Sequence, residues 1–156
     1  MRADGTIKKL LALSLAGLLL VGCTGETVHD DYIFGDNWVS VVYTIDDTFK
    51  VTSRGKGDKD VYIKHTFEDA NDAGKRMEML FIDPLEDYDV FGEKETFCGY
   101  DAYRYVDEDT ANCTLDIAVC DTAWVEFYTD SMSEDEFNSI INKITLSSKR
   151  SSGTVE

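Results

Sequence analysis

Proline, histidine and basic residues are all scarce in this chain. Its 156 residues include one Pro (Pro84), two His (His29 and His65) and 15 Lys plus Arg against 31 Asp plus Glu, a formal net charge of −16. So few cations exclude a phosphate-neutralising nucleic-acid surface. No apolar run reaches the ~18 to 20 residues of a membrane-spanning helix. Signature spacings are missing as well: there is no H-E-x-x-H, G-x-S-x-G or C-x-x-C. Gly55-Lys56-Gly57 lacks the spacing of a phosphate loop and reads as a turn. Asp69-x-Asn71 opens like a calcium loop, but Leu80 stands at the twelfth position, where Glu is required. The sequence therefore implies no metal and no cofactor. What is present is globular: 43% apolar and 12% aromatic residues, in a length suited to one domain.

The N-terminus carries the sharpest signal. Arg2, Lys8 and Lys9 precede a 12-residue apolar run, Leu10 to Val21, which ends in Leu20-Val21-Gly22-Cys23. This run has the length of a signal-peptide core. Its close resembles the lipobox of bacterial lipoproteins. That resemblance implies removal of residues 1–22 as a signal peptide and diacylglycerol on the Cys23 thiol. The protein is then expected on the outer side of a bacterial membrane, held there by its lipid. Removing residues 1–22, with three cationic and one acidic side chain, takes the net charge from −16 to −18. Such a surface repels anionic lipid and nucleic acid and favours cationic partners.

Residues 23–37 read as a polar tether, 38–146 as the folded domain and 147–156 as a flexible tail. Within the domain the apolar period is two, the strand signal. Val39, Val41 and Tyr43 alternate with Ser40 and Thr44, and Val61, Ile63, His65 and Phe67 with Tyr62, Lys64 and Thr66. His65 on such a face reads as a hydrogen-bonded core residue. Residues 54–59 read as a turn and 83–92 as an acidic loop. A turn centred near Asp109 sets Tyr105 opposite Cys113 and Tyr103 opposite Leu115, and a turn at 121–123 sets Val125 opposite Val119. Tyr103, Tyr105, Cys113, Leu115, Ile117, Val119, Val125 and Phe127 then form a core face. Arg104, Asp116, Trp124, Glu126 and Tyr128 fall on the other face, a candidate binding surface of aromatics among charges. The same register brings Cys98 across from Cys120, a candidate disulfide that export permits, with Cys113 a buried thiol. Three reduced cysteines are the alternative.

Ser133-Glu134-Asp135-Glu136 is a capping box, and Phe137, Ile140, Ile141 and Ile144 make one helical stripe. Strands followed by one helix predict an α+β fold: an antiparallel sheet of six to eight strands with a C-terminal amphipathic helix packed on one face. The hairpin of residues 99–130 followed by S-E-D-E-F-N-S-I-I-N-K-I-T-L resembles the closing part of Mog1/PsbP-like domains, over residues 95–146. Members of that family are mainly binding or assembly proteins, so the resemblance implies a non-enzyme; an envelope protein is the expected partner of the tethered module. The functional expectation is a binding or assembly module at the membrane surface. The alternatives are an envelope hydrolase or small-ligand-binding protein using the acidic residues of the exposed sheet face, and a purely structural stabiliser of a membrane complex.

Overall fold

The structure, a computed structural model, describes residues 25–55, 63–82, 90–110 and 112–150. The expected signal peptide, Cys23, most of the expected 54–59 turn, most of the expected 83–92 loop and the end of the expected tail lie outside the described residues. Among those described, ten strands and one helix follow in order. They are β1 (Glu26–Phe34), β2 (Asn37–Ile45), β3 (Phe49–Ser53), β4 (Ile63–Asp69), β5 (Arg76–Ile82), β6 (Glu93–Phe97), β7 (Tyr100–Asp107), β8 (Asn112–Cys120), β9 (Ala123–Thr129), α1 (Glu134–Ile141) and β10 (Ile144–Arg150).

The strands form two antiparallel sheets, one ordered β1-β2-β10 and one ordered β3-β4-β5-β9-β8-β7-β6. The α+β expectation of one sheet with a helix is therefore corrected. The fold is mostly β, two sheets packed face to face, and the helix is a minor part. The physical reason lies in the two ends of the chain. Residues 26–34, read as a tether, pair along their whole length with β2, and residues 144–150 pair with its other edge. Both segments are rich in polar residues, because one face of this small sheet meets water.

The inner faces supply the core. Val39, Val41 and Tyr43 of β2 are at most 1% exposed and face Phe67, Met79, Phe81 and Phe127 of the large sheet, all 0% exposed. Ring pairs join the layers: Phe34 stacks on Phe81 at 5.6 Å and Tyr43 meets Phe67 edge-on at 5.1 Å. Arrangements of this kind add ~0.5–1.5 kcal/mol beyond area burial. One side of the sandwich is closed by side chains. The Ser148 amide donates to the Tyr100 hydroxyl at 2.7 Å, the Leu146 amide to Cys98 Sγ at 3.4 Å, and Ser148 Oγ to the Val119 carbonyl at 3.0 Å. On the other side β1 and β3 end their sheets.

The helix forms where the capping box predicts. Ser133 Oγ accepts the Glu136 amide and Glu136 reaches back to the Ser133 amide at 2.9 Å. Phe137, Ile140 and Ile141 are buried, each contributing ~1.5–3 kcal/mol by leaving water. The helix ends at Ile141. Ile144, expected on its stripe, is the first residue of β10 instead. Lys143 holds that exit by donating to Asp46 Oδ2 at 2.6 Å and Thr48 Oγ1 at 2.7 Å.

The β7–β8 register also differs. Val106 pairs with Cys113 and Arg104 with Leu115, one residue from the expected pairing. The expected core face therefore holds on β8 and β9 but inverts on β7. There Ala102 is 0% exposed and Tyr105 is 46% exposed. Val125 pairs with Ile117 rather than Val119, and a bulge follows Ala118. This two-residue change leaves the faces of β8 and β9 intact. From β5, in the middle of the large sheet, the chain passes three strands to reach β6 at its far edge. Gly92 stands at that landing with φ +111°, where a Cβ would come within 2.1 Å of the Arg104 carbonyl oxygen.

Candidate functional site

The candidate surface is the outer face of the large sheet, which no described element covers. Strand alternation places Trp124, Glu126 and Tyr128 of β9 there, because Val125 and Phe127 point inward at 0% exposed. Asp116 of β8 is the cross-strand partner of Glu126, and Tyr103 of β7 is the partner of Asp116. The Tyr103 and Trp124 rings lie 6.1 Å apart at 31°. Leu80 and Ile82 of β5 pair with Glu126 and Trp124 and extend the apolar strip. Lys64 and Glu78 form an ion pair on the adjoining β4 and β5. Desolvation, then the nearby Asp130 carboxylate, pushes the Tyr128 hydroxyl pKa upward.

Four of the five expected face residues, Asp116, Trp124, Glu126 and Tyr128, are thus brought together. Arg104 is not. The register places it on the inner side, 18% exposed, where Nε and Nη2 grip both oxygens of Glu95 at 2.8 and 2.9 Å. Its Nη1 donates to Asn138 of α1 at 2.9 Å and its guanidinium lies 5.9 Å from the Phe137 ring centre. Glu95 raises its pKa further. Arg104 ties the sheet to the helix. Tyr103 replaces it on the outer face, and the one-residue register change is why sequence reasoning placed Tyr103 in the core.

The three described cysteines, Cys98, Cys113 and Cys120, are free in this structure. Cys98 occupies the β6–β7 turn at φ +51°, with Gly99 at φ +85°, and its thiol turns toward the β10 backbone at Ile144 and Leu146. Cys120 Sγ instead lies 3.5 Å from Thr122 Oγ1. Cys98 and Cys120 are not bridged in this structure, and each thiol lies against a different neighbour. Cys113 is buried, 1% exposed, and burial raises its pKa.

A second polar constellation lies between the sheets. His65 is 0% exposed, with Tyr32 Oη 2.7 Å from Nε2 and Tyr43 Oη 3.0 Å from Nδ1. Desolvation holds its pKa down at about 4. It raises Tyr32 to about 12 and Tyr43 further still. All three groups are therefore neutral near pH 7. A neutral imidazole has one donor and one acceptor nitrogen, so one tyrosine donates while the other accepts. Asp30 and Arg54 form an ion pair at 2.9 Å near this group. The histidine is satisfied by hydrogen bonds in the core, as its strand position predicts. Its partner Tyr32 was not legible because it lies on the segment read as a tether. Among the described residues no group of three or more His, Cys, Asp or Glu is placed to hold a metal ion.

Comparison with protein families, with curated proteins and with solved structures finds no match for this chain.

Proposed function

We propose that this protein is a cell-envelope lipoprotein, held through Cys23 on the outer side of a bacterial membrane, whose sandwich is a non-catalytic binding or assembly module. The observation that carries the reading is the outer face of the large sheet. Tyr103 and Trp124 lie together beside Leu80 and Ile82, flanked by Asp116, Glu126 and Tyr128. Aromatic rings with polar tips among charged side chains, Asp116 being buried between them at 7% exposed, have the composition of a protein-recognition surface. The lipobox supplies the attachment, and a diacyl anchor meets the need for more than one chain in stable membrane binding.

The test uses a photo-crosslinking amino acid at Tyr105, an exposed position on that face, in cells. One envelope protein should crosslink there, and it should be lost in Tyr103→Ala/Trp124→Ala with the melting temperature within a few degrees of the parent. Crosslinking that persists in that variant would overturn the face as the contact. Cys23→Ala should leave the protein unprocessed and without lipid, and normal processing of that variant would overturn the anchor.

A further inference from the structure

Among the described residues the two sheets leave four edges, and three of them carry features that discourage strand addition. Strand β3 is five residues with a register break between Val51 and Ser53. Strand β6 is five residues and carries Lys94. Strand β10 is stitched to the large sheet through Cys98, Tyr100 and the Val119 carbonyl. Short length, a bulge, lysine and coverage are the usual protections of a sheet edge. Strand β1 differs. It runs nine residues in unbroken register with β2, without Pro, Lys or bulge, and its one inward charge, Asp30, is neutralised by Arg54. Along its free edge alternate residues turn their backbone N–H and C=O groups away from β2.

Beside the start of β1 lies a cleft of about 390 Å³, lined by Glu26, Ile45, Val51, Thr52, Ser53 and Arg54. Ile45 and Val51 are half-buried against the core and give it an apolar floor. The Arg54–Asp30 ion pair joins the far side of this cleft to β1. Glu26 and Asp31, both exposed, make the strand's open side acidic, while Asp30 turns inward and is matched by Arg54. That charge selects the occupant. A second copy of this chain would bring the same carboxylates together, in a molecule of net charge −16, and like charges opposite one another across a strand pair are unfavourable.

We infer that the free edge of β1 is a docking site for an extended, cationic peptide segment of a protein partner, added as a fourth strand to the small sheet. Backbone hydrogen bonds to β1 supply the pairing, apolar side chains at alternate positions enter the cleft over Ile45 and Val51, and Lys or Arg at the intervening positions meet the acidic strand. The site is separate from the outer face of the large sheet and does not depend on that surface's role.

The test titrates the full chain with a blocked octapeptide of alternating Lys and Val. The same octapeptide with every backbone nitrogen methylated, equal in charge and with no backbone N–H to donate, is the control. The Lys-Val peptide should slow amide exchange within Glu26–Phe34 and bind at least about tenfold more tightly than the control. Asp31→Lys should weaken it several-fold with the fold unchanged by circular dichroism. Equal binding of the two peptides would reduce the effect to charge alone and overturn the proposal, as would no binding. Slowed exchange confined to Phe49–Ser53, or slowed exchange in β1 with rising protein concentration and no peptide, would assign a different edge or a second copy as occupant and overturn it too.

Discussion

Folding moves the His65 imidazole from water into a site between two tyrosine hydroxyls, and this links stability to pH. Its folded-state pKa of about 4 lies below the ordinary value of 6.5. The unfolded chain therefore takes up the proton first as the solution is acidified. The stability involved is fully present above about pH 6.5 and is lost as the pH falls toward 4. A fall from 6.5 to about 4 corresponds to about 3 kcal/mol. Asp46, held at about 2 first by Lys143 and then by Thr48, titrates below this window, so the two effects separate. Urea unfolding of the native chain between pH 7 and 4.5 should show the decline, and His65→Gln should flatten it even if that variant is weaker throughout. Cysteine reactivity offers a second check at this scale. Cys98 is exposed and Cys113 buried, so brief alkylation of the native protein followed by peptide mapping should label Cys98 and spare Cys113. Labelling of Cys113 at an equal rate would contradict the packing around β8.

At the scale of elements, the helix cap and strand β1 make contrasting predictions. Ser133→Ala removes the acceptor for the Glu136 amide and should cost ~1 kcal/mol in denaturant titration, since the rest of the box and the Lys75–Glu136 pair remain. Deleting Glu26–Phe34 should do far more. It strips Tyr32 and Phe34 from Phe81 and leaves a nitrogen of His65 without its partner. Loss of cooperative unfolding is the expected outcome, whereas a true tether could be removed without effect. These two elements also show what the amino-acid sequence revealed and what it hid. The capping box is a local device, complete within four residues, so it could be read directly. The inward faces of β8 and β9 were legible because Cys113, Leu115, Ile117, Val125 and Phe127 alternate cleanly. Strand β7 was not, because Ala102, Arg104 and Val106 present to the interior a small residue, a charged one and an apolar one, while tyrosines face outward. Strand β1 hid for a related reason. His29, Asp30 and Asp31 interrupt its apolar alternation, and its inward carboxylate is matched by Arg54, which directly follows β3. The candidate face was legible to the extent that its register was: four residues found, Arg104 misplaced and Tyr103 missed.

For the whole molecule, charge sets the response to solvent. A net charge of −16 on one small domain is self-repelling, and the repulsion lies largely at the surface, where salt screens it. Raising sodium chloride from low concentration to roughly 0.5 M, with a Debye length then of a few ångströms, should raise the melting temperature. A fall would mean that the surface pairs, such as Lys64–Glu78 and Lys143–Asp46, outweigh the repulsion. The position of β1 has a mechanical consequence as well. Its first residue, Glu26, is three positions from Cys23. A chain of that length reaches about 10 Å, against roughly 50 Å for a tether running to Asp36. If Cys23 holds the lipid, the sandwich stands on a stub rather than swinging on a leash, and any tug from a bound partner enters the fold through β1. Tension along that strand loads its ladder with β2 in shear, every rung at once, so the domain would meet a pull as a stiff mast.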